Sequence, residues 1–134
     1  MALKHILDTH ALIWYLEGNP RLGSAAKMVL DNSASEIILP IIALAEAIDI
    51  VHKGRTRIPT FSDLLNDVTS DERVEIYPLS YDVLQQSRAA TAVPEMHDRL
   101  IVATALHLRS SGHEVGLLTR DPDIVTSALV MIVW

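Results

Sequence analysis

The chain has 134 residues, of which 49% are hydrophobic and 21% charged. This length and composition predict one folded domain over residues 1–134 with a core of its own, and they exclude a disordered or low-complexity chain. The absence of cysteine excludes disulfide scaffolds, thiolate metal sites and cysteine nucleophiles. The formal net charge of −6 means that bulk charge does not attract nucleic acid, so a nucleic-acid partner needs local help from cations.

Nothing in the sequence indicates a membrane span or a targeting signal. The longest apolar run covers residues 37–45, whereas a membrane helix needs about 20 residues. The apolar part of residues 1–7 is too short for a signal peptide. We therefore expect a soluble, cytoplasmic protein with no membrane partner.

Short apolar runs alternate with longer helical stretches along the whole chain. In order, the patterns predict a strand at 3–7, helices at 9–16 and 24–31, a strand at 36–39, a helix at 41–53, a short helix opened by a capping box at 60–63, a strand at 74–77, helices at 81–90 and 96–109, and strands at 115–119 and 130–133. This alternation is typical of an α/β fold with a parallel sheet and helices on both faces. Ligands of such sheets bind beyond the carboxyl ends of the strands, where the strand order reverses.

Two aspartates follow predicted strands. Asp8 comes directly after the first strand, and Asp121 lies just beyond the fourth. If these two strands flank the reversal point, both carboxylates face one crevice. Each aspartate also has a purely structural interpretation, because Asp is a favoured N-cap and Asp121-Pro122 is a typical helix start.

Glu46 lies on a helix whose apolar stripe includes Ile42, Ala43 and Ile50. A carboxylate in the middle of a core-facing stripe costs several kcal/mol unless something compensates it. The alternative is that Glu46 sits at the edge of the surface or pairs with Lys53.

Asp98 begins a helix that is apolar on nearly every side from residue 100 to residue 108. We expect this helix to be buried, which makes a carboxylate at its start unusual. The alternative is that Asp98 only interacts with the positive end of the helix dipole. Glu95 would share the same first turn, as a solvated cap or as part of a site.

Four acids brought together in one crevice would repel one another. A hard divalent cation relieves that repulsion, because Mg²⁺ and Mn²⁺ choose oxygen ligands. Such an ion polarises a phosphoryl oxygen and activates water, so an acidic protein with this site could act on a polyanion.

Five segments carry a resemblance to a known family. Residues 7–14 read Leu-Asp-Thr-His-Ala-Leu-Ile-Trp, residues 44–48 place a glutamate within a helix, residues 98–103 begin Asp-Arg-Leu-Ile, residues 118–121 read Leu-Thr-Arg-Asp, and residues 130–134 form an apolar end. In this order and spacing they resemble PIN-domain proteins, particularly VapC-like toxin ribonucleases. The resemblance covers essentially the whole chain.

The resemblance implies a three-layer α/β/α sandwich around a parallel sheet of about five strands. It implies an Mg²⁺- or Mn²⁺-dependent endoribonuclease that is the toxin of a type II toxin–antitoxin pair, forms a homodimer and is inhibited by a cognate antitoxin. The implied catalytic and metal-binding acids are Asp8, Glu46, Asp98 and Asp121. Thr9 and Thr119 would orient those ligands.

The third motif departs from the family pattern. Many VapC-like toxins carry Asp-Pro-Phe-Asp where this chain has Glu95-Met96-His97-Asp98, so the part that Glu95 plays stays open. Arg99 and Arg120 each neighbour an implied ligand and would either steady the backbone or balance the acids.

Rival chemistries find less support. A phosphoaspartate hydrolase needs a second Asp at the position of His10 and a late Lys, but the last lysine is Lys53. Another alternative is a catalytically silent PIN-like module that binds RNA or protein. The sequence does not identify the RNA, the antitoxin, the oligomeric state or the number of metal ions.

Overall fold

The central sheet contains five parallel strands in the computed structural model, which describes residues 3–134; the first two residues of the predicted domain lie outside that range. The strands are β1 (Leu3–Leu7), β2 (Glu36–Pro40), β3 (Val74–Tyr77), β4 (Glu114–Leu118) and β5 (Ile132–Val133). Their order across the sheet is β3-β2-β1-β4-β5, and every neighbouring pair is parallel.

Helices flank the sheet. They are α1 (Thr9–Glu17), α2 (Ser24–Asp31), α3 (Ile41–His52), α4 (Phe61–Thr69), α5 (Tyr81–Gln86), α6 (Met96–Ser110) and α7 (Pro122–Ser127). The side chains of Ile6 and Leu7, which point to opposite faces of β1, are both buried, as are those of Leu117 and Leu118 on β4. Burial on both faces explains why these strands are continuous apolar runs in the sequence. The parallel sheet with helices on both faces confirms the predicted three-layer α/β/α fold.

The strand order reverses between β1 and β4. β1 pairs with β2 on one side and with β4 on the other, with Leu7 opposite Leu118. The backbone N–H of Asp8 donates to the Leu118 carbonyl at 3.3 Å, so the chain leaves both strands at the same point. This placement agrees with the expectation that Asp8 and the residues after β4 share one crevice.

Most predicted elements are found within one or two residues of their expected bounds. The predicted helix over 81–90 is wrong in part, because it ends at Gln86 and continues as a 3₁₀ turn over Ser87–Ala90. There the Ser87 hydroxyl donates to the Leu84 carbonyl, an example of a serine side chain that competes with the backbone at the end of a helix. The fifth strand is also shorter than predicted, and α7 was indicated only by its Asp-Pro start.

Helix α6 is buried as expected. Eight of its 15 residues are buried, from Leu100 to Leu106 and at Leu108, and the helix packs against β4 and α5. Its first turn therefore has a fixed position relative to the ends of the strands. In the described part of the chain, no helix has both the length and the apolar character needed to cross a membrane.

Candidate active site

A cleft of about 570 Å³ lies at the carboxyl ends of β1 and β4. It brings together the four acids singled out in the sequence, although they come from four separate segments of the chain. The lining residues are Asp8, His10, Ala11, Trp14, Glu46, Glu95, Asp98, Thr119, Arg120, Asp121, Pro122 and Trp134.

Asp8 is a buried carboxylate that both caps a helix and faces the cleft. Its side chain is 6% exposed, and Oδ1 accepts a hydrogen bond from the His10 N–H at 3.1 Å as the N-cap of α1. The Thr119 hydroxyl donates to Oδ2. Burial raises the pKa of Asp8 above its usual value, although both hydrogen bonds act in the opposite direction.

Thr119 links Asp8 to Asp121. Its side chain is 1% exposed, and its hydroxyl oxygen accepts a hydrogen bond from the Asp121 N–H at 3.1 Å while donating to Asp8. Asp121 in turn caps α7, because its Oδ1 accepts from the N–H groups of Asp123 and Ile124 at 3.0 Å each. The capping interpretation of Asp121 is thus correct, and its Oδ2 accepts no hydrogen bond within residues 3–134.

Glu46 lies beside the core stripe of α3, and the prediction that it sits in the middle of that stripe is wrong. The buried residues of this helix are Ala43, Leu44, Ala47 and Val51, so the stripe is rotated away from Glu46. The Glu46 side chain is half-buried and turned to the cleft, where its Oε1 accepts a hydrogen bond from the Thr9 hydroxyl at 2.8 Å.

The alternative ion pair of Glu46 with Lys53 is not formed. Lys53 pairs instead with Asp49 on the exposed side of the helix, at 2.7 Å. Asp49 and Lys53 are four residues apart, which places them on one helix face. The carboxylate of Glu46 therefore stays available to the cleft.

Asp98 carries the clearest sign of crowded negative charge. Burial, followed by the charges of Asp121, Asp8, Glu95 and Glu46 in that order, raises its pKa to about 7. Neither oxygen of its carboxylate accepts a hydrogen bond within residues 3–134. A half-buried carboxyl group among like charges and without donors is a group that a bound cation would stabilise.

Glu95 is the N-cap of α6 and also reaches His97. Its Oε2 accepts from the Asp98 N–H at 2.9 Å, and its Oε1 lies 2.7 Å from His97 Nδ1. Burial acts to raise the pKa of Glu95, but these hydrogen bonds outweigh it and hold the pKa below its usual value. The contact with Glu95 raises the pKa of His97. Glu95 is therefore an exposed helix cap that also lines the cleft.

His97 was not assigned to the site from sequence. Within residues 3–134, one set of three potential ligand atoms lies within 4.8 Å of one another, and it comes from Glu46, Glu95 and His97. The signal that could have indicated it is the short spacing of Glu95 and His97 at the start of a helix. The proximity of Glu46 to these two residues depends on tertiary packing and is not visible in the sequence.

The two arginines next to implied ligands do not pair with the acids in the described part of the chain. Arg99 donates to the carbonyls of Val93 at 3.0 Å and Pro94 at 2.8 Å, so it steadies the backbone that leads into α6. The guanidinium carbon of Arg120 lies 4.6 Å from the centroid of the Trp14 ring. Arg99 therefore has a structural role in holding the backbone before α6. Arg120 neither holds the backbone nor pairs with an acid within residues 3–134, and its guanidinium group lies over the Trp14 ring instead.

The donor set fits a hard divalent cation. Carboxylate oxygens line the cleft, and these are the ligands that Mg²⁺ and Mn²⁺ prefer. Asp98 and Asp121 each offer an oxygen that accepts no hydrogen bond from residues 3–134. The positive charge of such an ion would relieve the repulsion that raises the pKa of Asp98.

Replacing Thr119 by valine is expected to destabilise the fold by about 1–3 kcal/mol, because Asp8 and the Asp121 N–H both lose their partner. If the cleft is catalytic, activity should fall by roughly tenfold or more, as when an outer partner of a metal ligand is removed. Thr104→Val is the matched control, since this buried hydroxyl donates only to the Leu100 carbonyl of its own helix. Chemical denaturation measures both variants; equal losses would contradict the prediction.

The stability of the metal-free protein should fall as the pH rises from 5 to 8. The folded state raises the pKa of Asp98 from 3.8 to about 7, so it favours the protonated form, and this contribution is lost as the pH passes through 7. Because the group is about half exposed, solvent screening reduces the effect to about 1–2 kcal/mol. The contribution of Asp98 is isolated by the difference in stability between wild type and Asp98→Asn, measured at each pH by thermal unfolding in chelator. A difference that does not change with pH would contradict the assignment.

Comparison with known proteins supports the same architecture. A model of the PIN domain matches residues 5–129. No curated protein is similar enough in sequence to count as a relative.

Several solved structures share the fold. VapBC2 from Rickettsia felis, in a structure with a DNA fragment from the VapBC2 promoter, has a TM-score of 0.71 at 16% identity, with 96% of each chain covered. A toxin–antitoxin complex from Klebsiella pneumoniae has a TM-score of 0.64 at 22% identity, over 98% of this chain and 96% of that one. DNA-bound VapBC from Salmonella typhimurium has a TM-score of 0.65 at 15% identity, over 97% of this chain and 96% of that one. Since the family model spans most of the residues, the chain belongs to the PIN domain family.

Proposed function

We propose that this protein is a divalent-metal-dependent endoribonuclease and the toxin of a type II toxin–antitoxin pair. The observation that carries the proposal is the meeting of Asp8, Glu46, Asp98 and Asp121 in one cleft, where the pKa of Asp98 rises to about 7. The toxin role is supported by similar structures, which are toxin–antitoxin and VapBC complexes.

The four acids would hold Mg²⁺ or Mn²⁺, and Glu95 is a further candidate. When bound, the ion supplies positive charge to a phosphoryl oxygen and lowers the pKa of water. Thr119 holds the carboxylate of Asp8, and Thr9 holds that of Glu46, so neither ligand has to be ordered when substrate arrives. The hydrogen bonds of these threonines thus preorganise the site.

The proposed reaction is hydrolysis of an RNA phosphodiester. Water attacks phosphorus in line, and the bond from phosphorus to the ribose 3′-oxygen breaks. The released 3′-oxygen takes up a proton from solvent, which leaves a 5′-phosphate and a 3′-hydroxyl. A carboxylate of the cluster that is not engaged with the ion accepts the proton from the attacking water. The net charge of −6 agrees with a site that receives phosphate through a metal rather than through bulk charge.

The proposal includes a setting for the activity. The protein would act in the cytoplasm on RNA, as a homodimer, and a cognate antitoxin would inhibit it. In support of the antitoxin partner, one structure with the same fold is described as a toxin–antitoxin complex. The Arg120 side chain and the tryptophans of the cleft would lie beside the RNA strand.

Incubation of the purified protein with single-stranded RNA and Mn²⁺ tests the proposal. We expect cleavage products that carry 5′-phosphates, detected by their ligation to an adaptor, and no products in the presence of a chelator. Asp98→Asn protein purified in parallel controls for contaminating nucleases. Equal cleavage by this variant, or intact RNA with wild type, would favour a catalytically silent binding module.

A further inference from the structure

One side of the cleft is aromatic and cationic rather than acidic. Trp14, Trp134 and Arg120 line it, and we call these three residues the Trp–Arg wall. The two indole rings meet edge to face with their centroids 5.9 Å apart, and the Arg120 guanidinium carbon lies 4.6 Å from the centroid of Trp14. The wall and the four acids therefore face the same space.

The position of Trp134 is fixed by a close approach to Gly23. A Cβ atom at Gly23 would lie 2.5 Å from the Trp134 carbonyl carbon and 2.6 Å from its side chain. The φ of Gly23 is −64°, which any residue adopts, so space rather than backbone conformation requires a glycine there. Trp14 also contacts the His10 ring, at 5.5 Å between ring centroids. The wall is thus a built feature of the fold.

The cations around the wall have no acidic partner. Arg120 and Arg21, whose guanidinium carbon lies 6.0 Å from the Trp14 centroid, are both exposed. Neither has a carboxylate within 4.0 Å among residues 3–134. These two arginines place local positive charge at one aromatic ring in a protein whose net charge is −6, and that local charge favours an anionic ligand.

We propose that the Trp–Arg wall binds an unpaired nucleobase of single-stranded RNA, next to the phosphate held at the acids. Every base can stack on an indole ring or on an arginine, and Arg120 would at the same time contact the phosphate of that nucleotide. This inference rests on the proposed function and adds to it a base-binding subsite. The shared cleft and the unpaired arginines favour RNA over a protein segment as the occupant.

Tryptophan fluorescence, excited selectively over that of the three tyrosines, reports on this wall alone, because the chain has two tryptophans and both belong to it. The assay uses the Asp98→Asn background with Mg²⁺, in which RNA should stay intact. We compare oligoadenylate with an abasic ribose-phosphate oligomer of the same length. Oligoadenylate should quench the fluorescence and bind roughly tenfold more tightly than the abasic oligomer, which is the usual scale of one stacked base.

Substitutions in the wall provide the second readout. In the Asp98→Asn background, Trp134→Ala should bind fluorescently labelled oligoadenylate roughly tenfold more weakly. Trp134→Phe, which keeps an aromatic ring, should bind it with the affinity of the protein that retains Trp134. Arg120→Ala should weaken binding of both oligomers, and its side chain is exposed, so the variant should fold. Tyr81→Ala removes an exposed aromatic residue outside the cleft and should change nothing.

Equal affinity for the two oligomers overturns the proposal, as does unchanged affinity of Trp134→Ala for oligoadenylate. These outcomes leave the nuclease proposal intact if wild-type protein still cleaves RNA and a chelator stops it. Loss of cleavage by wild-type protein would defeat the nuclease proposal, whatever the base-binding result.

Discussion

Replacing Asp98 by asparagine is expected to lower the rate of RNA cleavage by about 100-fold or more and to raise the melting temperature of the metal-free protein. Activity falls because the cluster loses a carboxylate at its most crowded position. Stability rises because the neutral amide no longer repels Asp121 and Asp8. Gain of stability with loss of activity is the signature of a site whose charges are kept for function.

The matched control for this substitution is Asp82→Asn. Asp82 also lies in the first turn of a helix, where it interacts with the same end of a helix dipole, but it does not line the cleft. This variant should cleave RNA at the wild-type rate and should not become more stable. Full activity of Asp98→Asn, or destabilisation of it beyond that of the control, would contradict the role given to Asp98.

Divalent metal is expected to raise the melting temperature of wild-type protein by about 10 °C. An ion that binds only the folded state stabilises it by about 2.7 kcal/mol at 100 times its dissociation constant, and a domain of this size gains a few degrees per kcal/mol. Thermal unfolding in chelator, MgCl₂ and MnCl₂ measures the shift. RNA digestions in the same three solutions should show no cleavage in chelator.

Two controls separate metal binding from general screening. Potassium chloride at the same ionic strength should give a much smaller shift, because exposed charges respond to any salt. The Asp98→Asn variant should lose most of the metal-induced shift. Equal stabilisation by potassium and manganese, or continued cleavage in chelator, would show that the cleft does not work through a bound divalent ion.

The crevice at the ends of β1 and β4 could be expected from sequence, provided that these two strands flank the reversal point, because the residues that mark it follow the strands directly. The strand order that meets this condition is seen only in the structure. Parallel strands buried on both faces give continuous apolar runs, and the polar residue that ends each run marks the carboxyl edge of the sheet. Asp8 and Asp121 were found in this way. The same residues also cap helices, and the structure shows that capping and facing the cleft are compatible.

The orientation of Glu46 and the position of His97 beside Glu46 could not be predicted, because both depend on how the helices pack. A helical stripe read from sequence is uncertain by a fraction of a turn, and that is enough to move Glu46 from the core to its edge. His97 reaches Glu46 only through the packing of α6 against α3. The contact of Trp134 with Gly23 likewise joins residues that are far apart in the chain.

Anomalous diffraction from crystals soaked in MnCl₂ tests the shared ion most directly. We expect the manganese peak between the carboxylates of Asp8 and Asp98, with Glu46 and Asp121 around it. A peak held only by Glu46, Glu95 and His97, or no peak in the cleft, would contradict the account.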